Sequence, residues 1–484
     1  MEAGTLLLLV GAILAGSLVV ALGAARVGVP SLIAFLALGM LLGSDGPGGI
    51  HFDDAELART VGVAGLAAIL YEGGLSTSWR RLRGVAVPAV LLATVGVAVT
   101  ALLAGAAAYW LFELSWLAAV LLGAAVSSTD AAAVFATLRF TQIRRRLART
   151  LEAESGVNDP VAIALTIGLI SWIEDPSFAF PEMLLLIARQ LGLGLLVGIA
   201  LGVAAMWMFA RLPLSIGAFA PVASVAVAAL SFGAADVIGG SGFLAVYLVG
   251  LAVGSTPSRY RRQLVAFHEG LAFLAQVALF VVFGLLVFPS DLPSVAGPGL
   301  ALAFLLVVVV RPVAVWVSTA FSDFDARERA LLGWAGLRGA VPIVLATFAL
   351  SSEVPDGEAI FNAVFFVVVV STLLQGTTLE RVANHLGLVD PRPEIASPPL
   401  EVDSIGSLEL VEFDVSGDHA IAGAAVRELG LPRSALIAVV ARGADTIPPR
   451  GSTVLEPGDR LFVLAPRRIR PELEDVFERW RRRV

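Results

Sequence analysis

The segment Ala148-Arg-Thr-Leu-Glu-Ala-Glu-Ser-Gly-Val-Asn-Asp-Pro160 opens an apolar run and places polar groups where lipid should exclude them. An ionisable side chain inside a membrane span costs several kcal/mol, so its presence there is a functional sign by default. At four-residue helical spacing Glu154 lies over Asn158, and Ser155 lies over Asp159, in adjacent stripes of one face. Pro160 has no N–H to give the Gly156 carbonyl, which opens the helix locally and can free another oxygen. A carboxylate, a hydroxyl and a carbonyl at one depth are the hard oxygen ligands that alkali cations accept. Such a carboxylate couples a cation to a proton only if both compete for it near neutral pH, which an unperturbed aspartate at about 3.9 does not do. The chemistry therefore requires a desolvated Asp159.

Charges elsewhere in apolar runs point to the groups that would surround it. Arg311 and Arg338 lie in later runs, and one or both are expected to neutralise Glu154, leaving Asp159 as the titratable group. With the amide Asn158 as its neighbour in place of a second acid, one charge is available per cycle, which predicts one-for-one, electroneutral exchange. Ser127-Ser128-Thr129-Asp130 interrupts one apolar run, and Gly336-Leu-Arg-Gly-Ala-Val-Pro342 interrupts another seven runs later. Irregular backbone at membrane depth is tolerated only inside protein or beside water. Two broken helices in corresponding places mark an inverted-repeat transporter with its site at their crossing. Asp130 would then compensate positive helix N-termini, and Thr129 would offer hydroxyl or backbone oxygen to the ion. Glu72, near the end of the third run, is a further candidate ligand. His51, His268, His385 and His419 show no ligand spacing, and His268, near the tenth run, reads as a packed or interfacial histidine rather than a pH sensor.

The elements that carry these residues are set by composition. Of 484 residues 57% are hydrophobic and 15% charged, and the mean hydropathy is +0.87; a soluble domain has about a quarter of its residues charged. A spanning helix needs about 20 apolar residues. Such runs fall at 4–25, 30–44, 58–77, 85–112, 116–137, 149–172, 182–210, 215–234, 239–256, 264–288, 296–320, 327–350 and 358–380, thirteen in all. The first lacks the basic start of a signal peptide and reads as a helix that stays. With the N-terminus outside, the inside loops through the twelfth run hold fifteen arginines, from Arg26 to Arg329, against Arg59 alone outside. That asymmetry puts the C-terminal region in the cytoplasm. The outer loops are acidic and would concentrate cations.

Residues 391–484 hold 28 of the 73 charges and form a different regime. We divide the chain into a transmembrane domain at 1–388, a proline-rich linker at 389–400, a small α/β module at 401–467 and an amphipathic helix at 468–484. Within the module, strands are expected at Leu408–Val415, Ala435–Val440 and Arg460–Leu464, and a helix at Ile421–Leu429. Leu473, Val476, Phe477 and Trp480 recur at helical spacing and would pack on the module rather than rest on lipid. Cysteine is absent, which excludes thiol chemistry. No cofactor, phosphate-loop or nucleic-acid signature is present, and any nucleotide or ion ligand of the module stays open.

Ser-Ser-Thr-Asp at 127–130, Glu-Ser-Gly-Val-Asn-Asp-Pro at 154–160 and Gly-Leu-Arg-Gly-Ala-Val-Pro at 336–342 together resemble the signatures of the monovalent cation:proton antiporter-1 family, of NhaP type. The resemblance covers roughly residues 1–385. It implies an all-α polytopic fold of about thirteen helices in inverted repeats, two of them broken and crossing, in a bacterial inner membrane. It further implies a homodimer working by elevator-like alternating access, in contact with membrane lipid. By this resemblance Asp159 binds cation or proton in turn, positions Thr129, Ser155 and Glu72 assist, and Glu154, Asn158, Arg311 and Arg338 stabilise the core. Leu-Pro-x-x-Ala-Leu-Ile at 431–437, Pro-Pro-Arg-Gly at 448–451 and Pro-Gly-Asp-Arg-Leu-Phe-Val at 457–463 resemble the TrkA-C domain, which a potassium/proton subgroup carries. That implies potassium rather than sodium as cargo and dimer contacts through both domains, although this chain ends sooner than the longer members of that subgroup. Two other classes fit the sequence less well. An intramembrane aspartyl protease would use Asp130 with Asp159 but lacks its Gly-x-Gly-Asp signature, and a potassium channel lacks a Thr-Val-Gly-Tyr-Gly-like filter.

Overall fold

The computed structural model describes residues 3–481 apart from 139–142, 176, 212–218, 257, 259, 353, 390–403, 406–407, 444 and 467–468. The chain divides into two compact units, Met1–Asp390 and Pro391–Val484. From residue 390 onward, the expected linker at 389–400 lies outside the described residues.

The first unit is helical: α1 Ala3–Val27, α2 Ser31–Leu42, α3 Ala55–Ser76, α4 Ala86–Phe112, α5 Trp116–Ala125, α6 Ala131–Thr137, α7 Arg145–Glu174 and α8 Phe180–Arg211. It continues with α9 Ala220–Val237, α10 Gly242–Ser255, α11 Arg261–Leu286, α12 Leu292–Ser318, α13 Ala326–Trp334, α14 Ala340–Ser351 and α15 Gly357–His385. Among the described residues eight helices are long and apolar enough to cross a membrane, and α2, α5, α10 and α14 are shorter apolar ones. Lipid favours helices because they satisfy every backbone polar group within one segment. Starts are capped locally, as where Asp54 accepts from the Leu57 N–H at 2.8 Å and Ser241 from the Leu244 N–H at 3.2 Å.

The apolar runs at 116–137 and 327–350 are each broken. Irregular backbone separates α5 from α6 and α13 from α14. Each broken helix follows a long helix with one π-helical turn, Leu92–Gly96 in α4 and Leu306–Val310 in α12, and each precedes another long helix. The order therefore recurs within the unit. Pro160 leaves α7 continuous. On the other side of the site, α3 and α10 pack backbone against backbone: a Cβ on Gly250 would strike the Tyr71 carbonyl. Small residues permit this approach, and it holds the side chains of α10 beside those of α3.

The second unit is an antiparallel sheet, β1 Ser404–Ile405, β2 Leu408–Asp414, β3 Leu436–Arg442, β4 Asp445–Ile447 and β5 Arg460–Pro466, in the order β1-β2-β5-β3-β4. The expected helix at Ile421–Leu429 is not formed; only Val426–Glu428 makes a 3-10 turn. The reason is long-range pairing. Gly423 N–H donates to the Leu455 carbonyl at 2.8 Å, Leu455 N–H to the Ala424 carbonyl at 3.0 Å and Val426 N–H to the Thr453 carbonyl at 2.9 Å. Gly423 also adopts a φ of 88°, outside the right-handed helical region. Helix α16, Arg470–Arg481, buries Leu473, Val476, Phe477 and Trp480 in this unit's core, and the indole N–H of Trp480 donates to the Leu429 carbonyl at 2.7 Å. The amphipathic tail thus packs on the module.

Candidate functional site

The two breaks are joined to each other. Asp130 N–H donates to the Leu337 carbonyl at 2.9 Å, so the irregular backbone of one break satisfies that of the other. The loose helix ends are then matched by charge. The guanidinium of Arg338 donates from Nη1 to the carbonyls of Ser127, at 3.0 Å, and Ser128, at 2.5 Å, just beyond the C-terminal end of α5. Asp130 caps α6, its Oδ1 accepting from the Ala133 N–H at 3.1 Å, while its Oδ2 lies against Gly339, the residue preceding α14. A cation beside helix C-termini and an anion beside helix N-termini are the favourable arrangement. Gln375 completes the set by donating to the Trp334 carbonyl at the end of α13, 2.8 Å.

Helix α7 is tied across the first break by two of its residues. Asn158 Nδ2 donates to Thr129 Oγ1 at 2.7 Å. Ser155 Oγ donates to the Thr129 carbonyl at 2.8 Å and accepts from the Ala131 N–H at 3.2 Å. Glu154, one residue away on another stripe, meets Arg311 of α12: Oε1 and Nη1 are 2.7 Å apart and both side chains are buried. The structure thus chooses between the two arginines, giving Arg311 to Glu154 and Arg338 to the carbonyls of the break. Asp159 is buried, and its Oδ1 has no hydrogen-bond partner among the described residues.

Asp159 lines a cavity of about 240 Å³, together with Ser155, Asp130 and Glu72. Glu72 accepts from Ser76 Oγ at 2.5 Å. Four of the expected ligands are therefore brought to one space. Thr129 is not among its lining residues, since its hydroxyl and carbonyl are engaged by Asn158 and Ser155 as above. Glu154, Asn158, Arg311 and Arg338 likewise stand away from the cavity wall.

Sequence reasoning missed five polar lining residues, Ser76, Thr77, Glu152, Tyr247 and Gln276. Glu152 precedes Asp159 by seven residues, on the same helical face, and accepts from Thr77 Oγ1 at 2.8 Å; that spacing was its signal. Gln276 stood out as an amide in an apolar run. Tyr247 carried no signal, for an aromatic residue in such a run reads as packing. A larger cavity of about 610 Å³ borders α3, α9 and α11 and is lined mainly by apolar side chains, with His268 in its wall. His268 itself is packed: Nε2 lies 3.0 Å from Ser224 Oγ, and its ring lies 4.7 Å from that of Tyr71.

Residues 10–385 match the model of the sodium/hydrogen exchanger transmembrane family, and residues 410–478 match the TrkA-C domain. The K(+)/H(+) antiporter NhaP2 of Shewanella sp. (strain ANA-3) is 39% identical over 475 residues, covering 97% of this chain and 83% of that protein. The K(+)/H(+) antiporter NhaP of Alkalimonas amylolytica is 38% identical over 476 residues, covering 97% of this chain and 83% of that protein. The structure of the sodium proton antiporter MjNhaP1 from Methanocaldococcus jannaschii superposes with a TM-score of 0.72 at 24% identity, covering 80% of this chain and 99% of that one, a likeness of fold. The crossed breaks, the buried aspartate beside them and these matches agree: the chain belongs to the sodium/hydrogen exchanger family of cation:proton antiporters and carries a TrkA-C domain.

Proposed function

We propose that the protein exchanges potassium for protons, one for one, with Asp159 holding the cation and the proton in turn. The observation that carries this reading is how the carboxylates in and beside the cavity are bonded. Glu154 is offset by Arg311, Asp130 caps α6, Glu72 accepts from Ser76 and Glu152 from Thr77, whereas Asp159 Oδ1 is buried with no hydrogen-bond partner among the described residues. One carboxylate left with a bare buried oxygen supports a cycle in which one cation replaces one proton. Ser155, Asp130 and Glu72 share its cavity and would assist binding, and Thr129 would act through the oxygens that position Ser155 and Asn158. Potassium as cargo is supported by the names of the relatives and by the TrkA-C domain.

The cavity lies between the C-terminal part of α3 and the N-terminal half of α7, which supports access to Asp159 from the side of the membrane where α3 ends. With thirteen crossings and the arginine-rich loops inside, that side is the cytoplasm of a bacterium and the TrkA-C unit lies there. Alternating access then requires a second conformation open to the acidic outer loops. A homodimer through both domains completes the proposed assembly.

The test is cation-induced dequenching of a pH dye in proteoliposomes, comparing potassium, sodium and rubidium. Asp159→Asn is expected to abolish exchange, and a wild-type rate in that variant would sink the reading. Sodium exchange without potassium exchange would reassign the cargo, and a current that reverses with voltage would refute the stoichiometry.

A further inference from the structure

Tyr247 is a buried residue of α10, and its hydroxyl has no hydrogen-bond partner among the described residues. Leaving a buried hydroxyl unbonded costs about 1–3 kcal/mol, and Tyr247 lines the same cavity as Asp159. A second feature seats it there. A Cβ built on Gly156 would collide with Cζ, Cε2 and Oη of Tyr247, so the phenol tip rests on the bare backbone of α7 between Ser155 and Asp159. Asp159 lies three residues farther along that helix, about 4.5 Å of rise, and its Cα–Cβ bond tilts back toward Gly156. Asp159 and Tyr247, from different helices, thus line one small space, and each carries a buried oxygen, Oδ1 and Oη, without a hydrogen-bond partner among the described residues.

We propose that the Tyr247 hydroxyl is a ligand of the transported cation, supplying a neutral oxygen from α10 to complement the carboxylate of Asp159 and setting the preference among alkali cations. The inference rests on the reading of Asp159 as the shared site. A phenol is both acceptor and donor, so Oη can coordinate a cation through a lone pair. When a proton replaces the cation on Asp159, Oη can accept from the carboxylic acid. Neither state changes the charge count, so the hydroxyl adds a ligand without disturbing one-for-one exchange. Alkali cations are discriminated by the number and field strength of such neutral oxygens.

Tyr247→Phe keeps the ring against Gly156 and removes only Oη. In the dye assay the half-saturating potassium concentration should rise about five- to tenfold, the worth of one lost polar contact, and proportionally more than the maximal rate falls. The ratio of potassium to sodium half-saturation should change as well. A parallel variant, Gly156→Ala, should lose most exchange, and Gly156→Ala with Tyr247→Leu should regain part of it with weakened, less selective cation affinity. If Tyr247→Phe matches the wild type in both half-saturation values, Oη does not touch the cation and the proposal falls. It falls equally if only the maximal rate drops, which would make the tyrosine a packing residue. Asp159→Asn separates the two readings: retained exchange there overturns the shared site, whereas an unaltered Tyr247→Phe overturns this inference alone.

Discussion

Removing Arg311 should destabilise the helical unit more than removing Arg311 and the charge of Glu154 together. Nη1 and Oε1 are 2.7 Å apart, and the side chains are 2% and 1% exposed. At an effective dielectric near 20 the attraction at that separation is roughly 6 kcal/mol, much of it offset by the desolvation of both ions. Breaking such a pair from one side leaves a charge buried and costs about 3–5 kcal/mol. Arg311→Met should therefore fall in that range, whereas Glu154→Gln with Arg311→Met, which leaves no ion, should recover about 2–3 kcal/mol as a coupling energy. The assay is denaturant unfolding of the purified protein in mixed micelles, followed by tryptophan fluorescence, for the wild type, both single variants and the double variant. Additivity of the two single effects within about 0.5 kcal/mol would show that Arg311 is not what compensates Glu154, and the proposed one-for-one stoichiometry would lose that support.

Gly339→Ala places a methyl group against Oδ2 of Asp130; displacing that cap costs about 1–2 kcal/mol, so exchange should fall up to tenfold, read as the dequenching rate. Competition for one carboxylate makes the half-saturating cation concentration rise on acidification, by up to about tenfold per pH unit, because only the deprotonated fraction binds; initial rates at pH 6, 7 and 8 check this, and a half-saturation independent of pH would contradict it. Trp480→Ala removes a buried indole and its bond to the Leu429 carbonyl, at about 3–5 kcal/mol. Limited proteolysis of the full chain should then cut faster within 470–481, and equal rates would refute the packing described for α16.

Much of the helical unit was legible because lipid imposes a local rule: a span must be a long apolar run, and a polar interruption needs a reason. That rule located both breaks and the polar face of α7, and four of the five expected cation ligands do line one cavity. The sequence alone could not say which arginine meets Glu154. Arg311 and Arg338 lie 157 and 184 residues beyond it, and the choice turns on which carbonyls the crossed breaks leave open. The helix expected at Ile421–Leu429 failed for a related reason, since its local pattern was overruled by pairing with 453–455. Tyr247 and Gln375 looked like ordinary residues of apolar helices, and their roles arise only where α10 meets Gly156 and α15 meets the end of α13. The sequence by itself determined the two domains, the broken helices and Asp159 as the exceptional charge, because burial patterns and lipid solubility are properties of short segments. The partner of each charge and the wall opposite Asp159 were decided by tertiary structure, because they depend on contacts between residues that no local pattern connects.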